Sequence, residues 1–184
     1  MIDTLFTLLL ATLMSGDLLF VSDTSGMGLA VQQSTGNYTH VAMVERSGDS
    51  VYLIDATLRH GVARRPIGST FAVRMPVNIY RLTVPFDTVA VIERAHTLVG
   101  QPYDDYFLPG NGRLYCSELI WECFLDDDDN HLFPAQPMNW RDAEGRLPAY
   151  WVEHFQRLGC AVPEGVPGTN PTDLSRSALL RKIL

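Results

Sequence analysis

A glycine-rich loop, Pro109-Gly110-Asn111-Gly112, gives way within a few residues to an apolar stripe of helical spacing, and that junction restricts what the chain can become. Counting from Cys116, positions i+3, i+4, i+7 and i+8 are Leu119, Ile120, Cys123 and Phe124, the inward face of an amphipathic helix. Proline and glycine are poor helix interior, so the helix must begin close to Cys116. A cysteine in that place faces the core and also meets the unpaired N–H groups and positive dipole end of the helix, which favour a thiolate. It has the placement of a nucleophile. Free cysteines are also commonly small buried apolar side chains, so this stretch alone leaves both readings open.

The 184 residues suit one domain with its own core, and residues 1–184 are read as a single unit. A formal charge of -7, with no Lys or Arg before Arg46, argues against a nucleic-acid surface. Three cysteines at irregular spacing suggest neither a disulfide framework nor a zinc site, and no cofactor is expected. Cys116 and Cys123 lie two helical turns apart, about 10 Å between Cα atoms, too far for a bridge; Cys123 reads as core. The apolar start, residues 1–14, carries Asp3 and lacks both a basic leader and a small-residue cleavage site. It is also shorter than the ~20 apolar residues a membrane span needs. With Leu5, Leu8, Leu9 and Leu13 on one side it reads as a short packing helix; a targeting remnant is the alternative. A cytoplasmic location is favoured on that ground.

Along the chain, strands are predicted at residues 18–21, 39–44, 51–56, 71–75 and 78–84, and helices at 27–33 and from Pro85 to Gly100. The latter helix has Asp87 or Thr88 as its cap and Val91, Ile92, Ala95, Leu98 and Val99 as its buried face. Further helices are expected at 148–158, stopped by Gly159, and from about Asp173. The acidic run Asp126-Asp127-Asp128-Asp129 lacks the ligand spacing of a calcium loop and reads as a solvated helix end.

Two of these strands form a hairpin around Ser47-Gly48-Asp49, and its register gives the cysteine a possible base. A four-residue loop at 46–49, or a two-residue loop at 47–48, opposes Val44 to Val51, Ala42 to Leu53 and His40 to Asp55. Opposed side chains share a face with Cβ atoms about 5 Å apart, within reach of an imidazole–carboxylate hydrogen bond. An odd-length loop would break this arrangement. If the Cys116 helix packs on that face, thiolate, imidazole and carboxylate make a triad: nucleophile, base and later acid, and orienting group. Without it, His40 and Asp55 are a satisfied polar contact in a sheet. His60, His96, His131 and His154 have no acid at strand spacing.

The succession Gly16-Asp17-Leu18-Leu19-Phe20, Tyr38-Thr39-His40-Val41-Ala42-Met43-Val44, Leu53-Ile54-Asp55-Ala56, Gly100-Gln101-Pro102-Tyr103-Asp104 and Tyr115-Cys116-Ser117-Glu118-Leu119-Ile120 resembles the YiiX/YebB-like branch of the NlpC-type papain-like cysteine hydrolases. In that branch the chain is circularly permuted, and the histidine strand precedes the cysteine helix as it does here. The resemblance spans about residues 16–124. It implies an α+β fold in which an antiparallel sheet or half-barrel packs against helices, the cysteine-bearing one included. It further implies Cys116 as nucleophile, His40 as base, Asp55 in a position often held by glutamate, and Tyr103 near the oxyanion; Tyr38 and Tyr115 flank the reactive residues and are expected to shape the pocket. Asp17 and Asp104 are read as turn-holding residues. The implied activity is hydrolysis of an amide in a cell-wall peptide or related small amide, and the resemblance leaves a cell-envelope location open beside the cytoplasmic one. Two alternatives accompany it: acyl transfer or lipid-ester cleavage as in relatives of lecithin:retinol acyltransferase, and a silent cell-wall or lipid-binding module.

Overall fold

The computed structural model describes residues 10–24 and 26–184. Six antiparallel strands form its sheet: β1 (Leu18–Val21), β2 (His40–Ser47), β3 (Ser50–Thr57), β4 (Gly61–Pro66), β5 (Val77–Leu82) and β6 (Leu180–Lys182), in the order β4-β3-β2-β1-β5-β6. Both faces of the central strands are covered, so β1 is buried at all four positions and reads as an unbroken apolar run. Leu18, Phe20, Val41, Met43, Ile54 and Ala56 face one way. Onto them pack helix α2 (Thr88–Leu98) and helix α3 (Cys116–Cys123). Leu19, Ala42, Val44, Leu53 and Ile79 face the other way, under Leu13 and two 3-10 turns, Ile67–Ser69 and Phe71–Val73. A third cluster joins helix α1 (Met27–Thr35) to helix α4 (Ala149–Leu158) around Phe107, Trp140 and Trp151.

Local expectations are met where capping and periodicity act alone. The Asp87 carboxylate accepts the Ala90 N–H at 3.0 Å, which caps α2, and Gly159 ends α4 in the left-handed conformation. Val91 and Ala95 form the buried face of α2, whereas Val99 lies beyond the helix and is exposed. Two expectations are corrected and one strand is added. Residues 71–75 are not a strand, because the chain coils into 3-10 turns that cap the second face of the sheet. Strand β4 was not foreseen: its Val62, Ala63, Arg64 and Arg65 mix charges into both faces. The last helix, α5 (Pro171–Ser175), begins at Pro171 with Asn170 as cap and is followed by β6.

Residues 10–12 are helical, and Leu13 is buried against the second face of the sheet. Arg46 donates to the carbonyls of Leu13, at 2.8 Å, and Leu10, while Arg81 donates to that of Thr12 at 2.9 Å. The rest of the expected N-terminal helix lies outside the described residues.

Gly61 opens β4 at φ +60°, and a Cβ there would collide with the Gln101 carbonyl oxygen. That carbonyl accepts the Val62 N–H at 2.8 Å, seating β4 on the loop that leads to Tyr103. Gly61→Ala is therefore expected to destabilise the fold by about 2 kcal/mol or more, measurable as a lower midpoint in urea unfolding. A variant as stable as the parent would show that the loop shifts without penalty.

Candidate active site

The hairpin turns at Gly48-Asp49, which pairs Ser47 with Ser50, Val44 with Leu53 and Met43 with Ile54. The pairs are displaced by two residues from the expected register. An even displacement preserves the face, so the expected partners still meet, as diagonal rather than opposed neighbours. His40 Nε2 donates to Asp55 Oδ2 at 2.9 Å. The second carboxylate oxygen, Oδ1, accepts from Arg65 Nη2 at 2.7 Å. Arg65 stands opposite Leu53 in the β3–β4 ladder and Asp55 opposite Ala63, so this contact is also diagonal.

Helix α3 does not pack on the face that carries Ala42 and Val44, as the sequence suggested; Cys116, Leu119 and Ile120 lie with Val41 and Met43 on the other face. The thiol and imidazole meet because each belongs to the first residue of its element, where the end of the sheet lets the ring reach across. The His40 ring is within hydrogen-bonding reach of the Cys116 side chain. With Nε2 engaged by Asp55, Nδ1 is the nitrogen left for sulfur. Phe71 packs edge-on to the ring at 5.1 Å and limits its rotation.

Burial by itself would lower the His40 pKa, but the hydrogen bonds to Asp55 and Cys116 outweigh it and raise the value to about 10. Burial would raise Asp55, and here the hydrogen bonds and charges of His40 and Arg65 prevail, holding the carboxyl below its usual range. Asp55 is completely buried, so an ionised form depends on these two cations. The stability that His40 gains from its partners is full below its unfolded value of 6.5 and is lost as pH rises through about 10. That of Asp55 is full above its unfolded value of 3.8 and is lost as pH falls through a lower one. In a nuclear magnetic resonance titration the His40 ring is expected to keep its proton past pH 8; a midpoint near 6.5 would contradict the arrangement.

Cys116 and His40 open onto a cavity of about 320 Å³ whose wall is mostly apolar, with Met27, Phe71, Tyr103, Phe107, Met138 and Trp140 among its residues and Asp23 and Asn139 among its polar ones. Tyr103 is in that wall, its hydroxyl 3.8 Å from the Met27 sulfur, and burial chiefly pushes its pKa well up, so it stays a protonated donor. Tyr115 also lines the cavity, but its hydroxyl accepts the Thr169 N–H at 3.1 Å. Ser117 Oγ donates to the Thr169 carbonyl at 3.1 Å, so the loop at 169 is fastened to the start of α3 at two points. Tyr38 is not among the residues lining the cavity: its hydroxyl pairs with that of Tyr80 at 3.1 Å and its ring packs on Phe20. Arg65, Phe71 and the 169 loop were not foreseen. Recognising β4 as a strand would have exposed Arg65; the other two carry no sequence signal, since they arrive from distant segments.

Helix α3 has no side-chain cap, and Glu118 takes that part by accepting the Tyr115 backbone N–H. Glu118 is 3% exposed, and its Oε2 has no hydrogen-bond partner among the described residues. Burial first, then the charges of Asp104 and Glu122, push its pKa from 4.5 to about 8. Between these values the folded protein holds a proton that the unfolded chain releases, so stability falls as pH rises across the window. Glu118→Gln should gain about 1 kcal/mol or more at pH 8 and nearly nothing at pH 4, by urea unfolding at both. Equal losses at both values would refute a neutral Glu118. Asp104 serves its turn, accepting from the Tyr106 and Leu108 N–H groups and from Asn111 Nδ2.

Among the described residues no group of three or more His, Cys, Asp or Glu side chains gathers as a metal-ion site. Nor is any of their helices long and apolar enough to cross a membrane. A crystal structure described as that of metalloprotein yiiX from Escherichia coli O157:H7 is similar to this fold, with a TM-score of 0.77 at 20% identity, over 92% of this chain and 96% of that one. No curated protein matches the sequence. The family model for the permuted papain-like amidase enzymes, YaeF/YiiX, C92 family, matches residues 12–184. The histidine strand ahead of the cysteine helix is thus the permuted order of a papain-like cysteine hydrolase, and this chain belongs to that amidase family.

Proposed function

We propose that the protein hydrolyses amides through a thioester on Cys116, with His40 and Asp55 completing the catalytic unit, and that the acyl part of its substrate is apolar. The His40–Asp55 hydrogen bond beside a thiol at a helix start is the observation that carries the mechanism. The cavity wall supports the substrate class, because it presents Met, Phe and Trp side chains and, among the described residues, no lysine or arginine, with Asp23 its one carboxylate.

In the first half-reaction the sulfur attacks the amide carbonyl and the carbonyl π-electrons move onto oxygen. The Cys116 backbone N–H, at the first position of α3 where the helix supplies it no acceptor, and the Tyr103 hydroxyl are the donors offered to that oxyanion. The intermediate collapses as the C–N bond breaks, and Nδ1 of the His40 imidazolium gives its proton to the departing amine. The neutral imidazole then takes a proton from water as that water attacks the thioester, and Cys116 leaves to release the acid. Asp55 holds the ring in register throughout and stabilises its charged form. Tyr115 and Ser117 serve this unit by fastening the 169 loop to the nucleophile helix.

An apolar acyl pocket also suits transfer of the acyl group to an alcohol or amine in place of water. Product analysis with and without an added acceptor separates the two outcomes.

Cys116→Ala is expected to lower hydrolysis of hexanoyl p-nitroanilide by about a thousandfold or more. In the parent, a thiol-directed acylating probe should modify Cys116 in preference to Cys123, which is fully buried and whose pKa burial chiefly pushes up to about 12. Cys160 is exposed, so the labelling belongs in a Cys160→Ser background. Undiminished turnover by Cys116→Ala would overturn the proposal.

A further inference from the structure

The Asp55 carboxylate touches two cations, and only one of them belongs to the catalytic unit. We infer that Arg65 is a positioning residue for the reaction: by fixing Asp55 Oδ1 it aims Oδ2 at His40, and by its charge it keeps the imidazolium acidic enough to protonate the leaving amine. This rests on the reading of Cys116 and His40 as the reacting pair.

The geometry leaves Asp55 little other support. Its carboxylate is fully buried, with Oδ2 on His40 at 2.9 Å and Oδ1 on Arg65 Nη2 at 2.7 Å. Without Arg65 a carboxylate can turn about its last torsion and present either oxygen, or neither, to the ring. With Arg65 that torsion is held from the side opposite His40, and the imidazole is held in turn. The guanidinium stays on its own strand through neighbouring backbone pairing, Leu53 with Arg65 and Asp55 with Ala63. Its Nε is buried with no hydrogen-bond partner among the described residues. A donor left unsatisfied in this way is unfavourable.

Charge leads to the same role. When the sulfur is a thiolate, the row Cys116, His40, Asp55, Arg65 reads minus, plus, minus, plus, and sums to zero. Removing the last member leaves a net negative row. The imidazolium would then be held too tightly to release its proton to the amine, and the carboxylate would itself take up a proton more readily. The titratable and charged groups facing these residues are Cys116 from α3 and Asp55 from β3 on His40, and His40 from β2 and Arg65 from β4 on Asp55.

Two variants separate orientation from charge. Arg65→Gln keeps an N–H for Asp55 Oδ1 and loses the charge; Arg65→Lys keeps the charge and loses the planar fork. For Arg65→Gln we expect kcat on hexanoyl p-nitroanilide to fall about tenfold with KM within twofold, and the His40 ring midpoint to rise by about one unit in a nuclear magnetic resonance titration. For Arg65→Lys the midpoint should return to the parent value while kcat recovers only in part. An unchanged His40 midpoint in Arg65→Gln overturns the inference, as does a kcat loss that disappears once corrected for the unfolded fraction. The midpoint is read without turnover, so an active Cys116→Ala variant would discredit the nucleophile without touching this result.

Discussion

Everything at the site turns on one buried carboxylate. Asp55 has no exposure to solvent, and a lone ionised carboxylate in such a place would be protonated or would unfold its surroundings. It remains ionised because strands on both sides supply cations, His40 from β2 and Arg65 from β4. The sheet order β4-β3-β2 is therefore more than scaffolding: it is the arrangement that makes the charge tolerable. The same order fixes the imidazole, since a ring bonded to a carboxylate that cannot turn, and packed edge-on against Phe71, has few orientations left.

The cysteine reaches this ring from a separate layer. Helix α3 lies on the face of the sheet opposite to that of Ala42 and Val44, and its first residue meets His40 only where the sheet ends. A junction of this kind tolerates little movement, and the start of α3 is held accordingly. Glu118 accepts the Tyr115 N–H, while Tyr115 and Ser117 fasten the 169 loop. On the approach side, Phe107 takes a positive φ of 54°, uncommon outside glycine, and places its ring among Tyr103, Tyr115, Trp140 and Trp151. The loop from Tyr103 to Leu114 is thereby tied into the third apolar cluster. The cavity wall shares these side chains, so one set of contacts both positions Cys116 and gives its surroundings their apolar character.

Much of this was legible in the chain, for identifiable reasons. The α3 stripe follows from spacing alone, and the cap of α2 from Asp87. The hairpin was visible as two apolar strands around a glycine turn. Its register was not, because 46–49, 47–48 and 48–49 are all acceptable turns and all place the same side chains on each face; the structure pairs Ser47 with Ser50. The error was harmless to the His40–Asp55 contact only because it was even. Strand β4 and Arg65 escaped notice since a strand at the end of a sheet, bearing charge on both faces, lacks the alternation that marks one. Tyr38 was drawn into the pocket by its nearness to His40 in sequence, yet it lies before β2 begins, outside the strand that aims His40, and its ring instead packs on Phe20 and Tyr80.

The sequence by itself determined which residue types could react, which helix carries the thiol, and the permuted order of histidine before cysteine. These are matters of local spacing and chain order, which a linear string records in full. Only the tertiary structure decided that Asp55 lies between two cations, that the thiol meets the imidazole around the end of the sheet, and that the walls of the cavity are mostly apolar. Each of those depends on segments many residues apart filling one volume, and close packing settles that only when all of them are present.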